Sequence, residues 1–210
     1  MVNVLLAHFD IHLSMTSQVS AVCRKCYFHL RRIASIRNYI SKSVCHRLVI
    51  ALVVSNLDYC NALLLDIPGY LLRRLQVVHH RAARLVTLTS PRGHITPVME
   101  ALHWLPVSHR IIFKTPLLVY KALNGLAPGY LSDLLNLKNR NSKLRQLHDH
   151  LTLSVPQATL TIAKRAFGVT APVYWNLLPL SLRQASSLRA FKSGLKTHFF
   201  RSLYDNECQF

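Results

Sequence analysis

The stretch 101–135 restricts the fold of this chain more than any other part of it. An aromatic-proline corner, a helix, a glycine stop and a proline restart follow one another there without a break. His103-Trp104-Leu105-Pro106 is too apolar for a solvated loop. Pro106 steers Leu105 out of helical dihedrals, so a helix arriving near Leu102 ends there. Trp104 is large enough to anchor the corner on a core. Beyond it, Ile111, Ile112, Leu118, Val119, Ala122 and Leu123 recur at roughly helical spacing. Asn124-Gly125 makes a C-terminal stop, because glycine accepts the left-handed dihedrals of such a cap. Pro128 suits the first turn of the next helix, where a missing N–H costs nothing. Thr115-Pro116 falls inside the first of these helices, where a proline costs on the order of 3 kcal/mol. The helix is expected to kink at Thr115 or divide in two.

The rest of the chain also reads as mainly helical. Ser17 is placed to cap a helix running to about Asn38, with Val19, Val22, Cys23, Cys26, Leu30 and Ile33 on one face. Ser41 or Ser43 caps the next, which carries Leu48, Leu52 and Leu57 inward. Its middle is apolar all round, as expected of a central buried helix. Ile67-Pro68-Gly69 breaks it, and Pro68 starts another. From Tyr70 to Leu88 the pattern is amphipathic. Leu71, Leu75, Val78, Ala82 and Leu85 form an apolar stripe, and Arg73, Arg74, His80, Arg81 and Arg84 form a cationic one, with His79-His80 extending the basic face. Residues 137–150 are polar and basic and read as a linker. Leu151 to Pro156 alternates as a short strand or extended arm, and Thr161 to Gly168 is a second extended piece or a helical turn. Ala171 to Leu177 is helical. Ser187 caps a last helix, with Leu188, Phe191, Leu195 and Phe199 inward and Arg189, Lys192, Lys196 and Arg201 outward.

Charge narrows the partners. The 210 residues include 26 Lys+Arg against 8 Asp+Glu, a formal net charge of +18. Polyanions are the natural partners of such a chain, with affinity that falls as salt rises. A stripe of fixed charge on a rigid helix can follow a phosphate backbone; the alternative is an ordinary solvated face. No carboxylate occurs between Asp66 and Glu100 to balance it. The densest apolar run, Leu48 to Val54, is far shorter than the ~20 residues of a membrane span. No secretory pattern is apparent at Met1. The expectation is an intracellular protein, cytoplasmic or nuclear and not secreted, whose five cysteines are free thiols.

Several short motifs stand in a telling order. Leu57-Asp58-Tyr59-Cys60-Asn61 precedes Leu71-Leu72-Arg73-Arg74-Leu75-Gln76 and Arg81-Ala82-Ala83-Arg84-Leu85-Val86. Then come His94-Ile95-Thr96-Pro97-Val98 and Leu102-His103-Trp104-Leu105-Pro106. Arg165-Ala166-Phe167, Ala171-Pro172, Trp175-Asn176-Leu177-Leu178-Pro179 and Phe191-Lys192-Ser193-Gly194-Leu195-Lys196 complete the series. In order and spacing, over about Ser17 to Phe200, they resemble the C-terminal part of a non-LTR (LINE-type), Jockey-like retrotransposon polyprotein, downstream of its reverse transcriptase. Val2-Asn3-Val4-Leu5-Leu6 resembles the strand closing the polymerase palm, although the family usually has Gly where Asn3 stands and Asp where Ala7 stands. Pro116 also departs from the family pattern, as in a decayed copy.

The resemblance implies a mainly α fold: a thumb-like helical bundle with a smaller C-terminal helical segment and room for one or two short strands. It implies a palm-end remnant over 1–16, the bundle over 17–136, the basic linker over 137–150, the C-terminal segment over 151–204 and a tail over 205–210. It further implies RNA or DNA as partner, bound with little sequence preference by Arg73, Arg74, His80, Arg81 and Arg84. Polymerase chemistry in that family needs paired aspartates to hold two metal ions, and the chain has no Asp-Asp pair. No catalytic residue, metal or cofactor is therefore expected. Asp58 is read as satisfying a local hydrogen bond or pairing with an arginine. Cys23-Arg24-Lys25-Cys26 places both sulfurs on an apolar helix face, as core residues rather than half of a four-ligand zinc site with Cys45-His46. The competing reading is a non-catalytic remnant that self-associates or binds protein through apolar faces around Trp104, Tyr120 and Trp175, or a reading frame without function.

Overall fold

A computed structural model describes the backbone of residues 2–4, 7–9, 13–138 and 151–204, and side chains from residue 13 onward within those ranges except that of residue 161. The fold is mainly α. Within the linker, residues 139–150 lie outside the described residues, as does the tail at 205–210. Contacts divide the chain into two compact units, Met1–Ile111 and Ile112–Phe210. The division falls inside the stretch expected to form one bundle.

The first unit opens with an antiparallel hairpin, β1 (Val2–Val4) and β2 (Ala7–Phe9), in the register Val2 to Phe9 and Val4 to Ala7. Helix α1 spans Thr16–Ile36 and tightens into a 3-10 turn over Arg37–Tyr39. Ser17 lies within α1 rather than capping it. The turn into the helix belongs to Ser14, whose hydroxyl accepts the Thr16 N–H at 3.3 Å. Val19, Cys23, Cys26, Leu30 and Ile33 are buried as their spacing requires.

Helix α2 (Lys42–Val49) begins at Ser41, whose hydroxyl accepts the Val44 N–H at 3.3 Å. It runs through a π-helical stretch, Ile50–Val54, into α3 (Ser55–Asp58). That wider turn changes the inward register. Val49, Val53, Val54 and Leu57 are buried, whereas Leu48 and Leu52 are only half-buried. Ile50 and Ala51 are exposed, so this is not a helix buried all round.

Helix α4 (Gly69–Thr87) packs along α1 and α2. After α5 (Thr96–Ala101) the chain closes a Schellman turn: the Trp104 N–H reaches the Met99 carbonyl at 2.9 Å and the His103 N–H reaches Glu100 at 2.8 Å. His103 takes the left-handed position, with φ 51°. Trp104 is buried and stacks against His79, with ring centroids 5.0 Å apart.

Helix α6 (Val107–Leu123) contains the division between the units. It neither divides nor breaks at Thr115: Pro116 lies within one continuous helix. The Ile112 carbonyl loses its usual partner four residues on, because a proline has no N–H. Pro116 is buried between Thr115 and Leu117, so a larger residue risks overpacking. Pro116→Ala is expected to raise the melting temperature, by a net gain on the order of 1 kcal/mol after the lost ring contacts are subtracted. An unchanged or lower value in a calorimetric scan would exclude strain at this position.

The second unit continues from α6. The glycine stop forms as expected, with Gly125 at φ 67° and the Leu126 N–H on the Lys121 carbonyl at 2.7 Å. Then come α7 (Gly129–Ser132), α8 (Thr161–Lys164), α9 (Phe167–Asn176), α10 (Leu180–Arg183) and α11 (Leu188–Tyr204). Helix α9 starts four residues before the expected Ala171. Ser187 caps α11 by accepting the Ala190 N–H at 3.2 Å.

The stretch expected as a strand or arm is an extended arm that, among the described residues, makes one antiparallel bridge, Leu137 to Leu153. The Ser154 N–H donates to Asn136 at 2.8 Å and the Lys138 N–H to Thr152 at 3.0 Å. Phe191, Leu195 and Phe199 of α11 are buried, and the Tyr120 and Trp175 rings lie on Phe191 at 4.4 and 5.9 Å. Trp104, Tyr120 and Trp175 are thus core residues. The three rings themselves are therefore not exposed, although Val173 and Leu177 beside Trp175 are.

Candidate nucleic-acid interface

Helix α4 carries all five residues expected to meet nucleic acid. Its inward face is wider than the expected stripe: Leu71, Leu75, Val78, His79, Ala82, Ala83 and Val86 are buried, and Leu85 is half-buried. At 3.6 residues per turn, Arg73, Val77, His80 and Arg84 share the opposite face, flanked by Arg74, Arg81 and Leu88. Arg73, Arg74 and Arg81 are exposed, and His80 and Arg84 are half-buried.

Three of the arginines are held by neighbours. The Arg74 guanidinium donates to the Ser20 hydroxyl at 3.2 Å, and Arg81 lies over the Tyr27 ring at 5.2 Å. Both contacts cross from α4 to α1, and the partners advance seven residues together on each helix, so the two helices run parallel through this contact. Arg84 donates to the Gly93 carbonyl at 3.1 Å, while its Nε is buried without a hydrogen-bond partner among the described residues. An arginine already pinned loses less side-chain entropy on meeting a phosphate than a free one.

The two histidines differ from expectation. His79 does not extend the basic face: it is fully buried against Trp104. Burial, with the Arg110 and His80 charges adding to it, lowers its pKa to about 3. His80 pairs with the Gln76 side chain at 2.6 Å. Burial, reinforced by Arg84, lowers its pKa as well. At pH 7 His80 is therefore a neutral hydrogen-bonding group, and the cationic members of the set are Arg73, Arg74, Arg81 and Arg84.

Arg37 is a structural neighbour of this helix that sequence reasoning passed over. It is buried, and its guanidinium donates to the Leu85 carbonyl at 2.9 Å and to Val86 at 3.0 Å. It thereby satisfies the C-terminal end of α4, where a positive charge also meets the negative pole of the helix. Nothing local to α4 announces this partner, which comes from the end of α1.

At the same end of α4 an open groove of about 680 Å³ is lined by Val77, His80, Arg81, Arg84 and Leu85 of the helix and by residues 88–91 beyond it. The other candidate groups have structural partners. Asp58 forms a two-pronged ion pair with Arg110, whose Nε donates at 2.9 Å. Cys23, Cys26, Cys45 and Cys60 are free thiols. Burial pushes the Cys26 thiol up to about 12, and it donates to the Val53 carbonyl at 3.7 Å. Among the described residues no cluster of three or more histidine, cysteine or acidic side chains is arranged to hold a metal ion. Among them, too, no helix is long and apolar enough to cross a membrane. No family model, no curated protein and no solved structure matches the chain.

Proposed function

We propose that this chain binds RNA or DNA with little sequence preference through the exposed face of α4, as a retroelement-derived, thumb-like helical region. It acts inside the cell. The observation that carries the reading is the line Arg73, Arg74, Arg81, Arg84 on one rigid helix, in a stretch where no carboxylate intervenes between Asp66 and Glu100. The spacing of the family-like motifs supports the retroelement origin. No step of catalysis is assigned to any residue.

Titration against single-stranded RNA at several salt concentrations tests the proposal. The logarithm of the binding constant is expected to fall linearly with the logarithm of salt, by about 0.7 per phosphate neutralised. Arg81→Gln should weaken binding similarly for unrelated sequences and make the slope about 0.7 shallower. No binding at low salt, or binding indifferent to salt, would remove the proposal.

A further inference from the structure

The groove at the end of α4 has a feature that phosphate contact alone does not require. Its wall includes Val77, Leu85, Leu88 and Pro91, directly beside Arg81 and Arg84. Val77 is 42% exposed and Leu88 65% exposed, so neither is consumed by the core. Leu88 also sits at φ 56°, in the left-handed region. That conformation costs an ordinary side chain stability and is routinely adopted by glycine or asparagine. Leu88 is the C-cap of α4, and an exposed leucine at that position returns little to folding.

The groove volume, about 680 Å³, lies in the range of small-ligand sites. It is open, and its lining sets an apolar wall and two guanidinium groups beside the polar side chains of His80, Thr89 and Ser90. The buried Arg84 Nε still has no partner among the described residues. A duplex keeps its bases stacked inside and offers such a wall only phosphate and sugar. A single strand can splay a base out, lay its face on apolar surface and leave its phosphates to arginine.

We infer that this groove seats one unstacked base of a single-stranded nucleic acid against Val77, Leu85, Leu88 and Pro91. Arg81 and Arg84 hold the adjoining phosphates, and Arg74 and Arg73 carry the strand back along α4. The inference rests on the nucleic-acid reading above and adds a preference for single strands. An anionic lipid headgroup shares the phosphate chemistry. The cationic line, however, continues from residue 84 to residue 73, about 16 Å along the helix, which suits a linear chain of phosphates better than one headgroup.

Fluorescence anisotropy on the full chain, with a labelled oligothymidine of about 12 nucleotides and a duplex of equal length at the same salt, tests it. Leu88→Asn removes apolar wall without adding charge and suits the left-handed backbone, so the fold is retained; a thermal melt checks this. Wild type should bind the single strand several-fold more tightly than the duplex. Leu88→Asn should weaken single-strand binding about fivefold and change duplex binding less than twofold. Leu88→Gly, which shares the backbone benefit, should behave like Leu88→Asn. Equal affinity for both probes, or no effect of either substitution on single-strand binding, overturns the groove while leaving the general reading standing. Failure to bind either probe at low salt overturns both. Displacement of oligothymidine by phosphatidylserine vesicles at lower phosphate concentration than by unlabelled oligothymidine overturns it in favour of a lipid surface.

Discussion

Acidification from pH 7 to pH 4 should cost the first unit about 3 kcal/mol of stability through His79 alone. Its side chain is fully buried, its ring is nearly parallel to that of Trp104 at 8°, and neither ring nitrogen has a hydrogen-bond partner among the described residues. Its folded pKa is about 3, lowered first by burial and then by the charges of Arg110 and His80. In the unfolded chain a histidine titrates near 6.5. Above that value neither state takes the proton, and the contribution is intact. Between about 6.5 and 3 only the unfolded state is protonated, so stability falls as pH falls. His80 and His109, whose pKa values are also lowered by burial, act in the same direction.

Urea midpoints measured from pH 7.5 to pH 4 check this. His79→Leu, of similar volume, removes both the titration and two buried polar atoms without partners. It should flatten the acid dependence and raise stability at pH 7 by about 1–3 kcal/mol. A variant as acid-sensitive as its parent would place the effect elsewhere. Against a typical stability of about 5–15 kcal/mol, a loss of 3 is large.

Trp175→Ala is expected to destabilise the second unit by about 3–5 kcal/mol. Trp175 is 1% exposed, and its ring packs on Phe191. Its Nε1–H also donates to the Leu151 carbonyl at 2.7 Å. The next residue works with it. The Asn176 amide accepts the Leu153 N–H and donates to the Leu153 carbonyl, both at 2.9 Å, so one side chain imitates a neighbouring strand. Together they fasten the 151–154 arm, with Leu153 almost fully buried. Trp175→Phe keeps most of the apolar body but leaves the Leu151 carbonyl without that donor, and should cost less than the alanine. Asn176→Ala should leave the core ring in place yet accelerate hydrogen exchange at the Leu153 amide. Thermal melts of the three variants, with exchange read at Leu153, separate ring packing from the hydrogen bonds. Equal, small losses in all three would show that this pair does not hold the unit together.

Much of this architecture was legible locally. Ser41, Ser187 and Gly125 mark helix ends because a cap is made within a few residues. The stripe from Leu71 to Ala82 appears at helical spacing because the residues of one face repeat along a single helix. Asp58 has both the local hydrogen bond and the arginine that its sequence position leaves open: it accepts from the Asn61 amide at 3.4 Å and pairs with Arg110, distant in sequence. The four arginines of α4 could be assigned to one face from their positions alone. The same counting puts His80 outward but His79 only at the edge of the apolar stripe, so its full burial could not be read from position. The two adjacent histidines have similar neighbours in sequence, and only the arrival of the Trp104 corner covers one of them. The same limit hid Arg37 at the far end of α4, and the Asn176 amide as a substitute strand.

The π-helical stretch over Ile50–Val54 shows a subtler failure. Ordinary 3.6-residue counting carries Leu48 and Leu52 inward, whereas one wider turn makes Val49 and Val53 the buried residues. By itself, then, the sequence determined the helical class, several helix ends and the cationic face. These depend on interactions reaching only a few residues along the chain. The tertiary structure alone decided which histidine is neutral and buried, which arginine closes a helix, and which apolar residues line a groove instead of the core. Those outcomes depend on which surfaces meet across long sequence separations, and desolvation acts only once they have met.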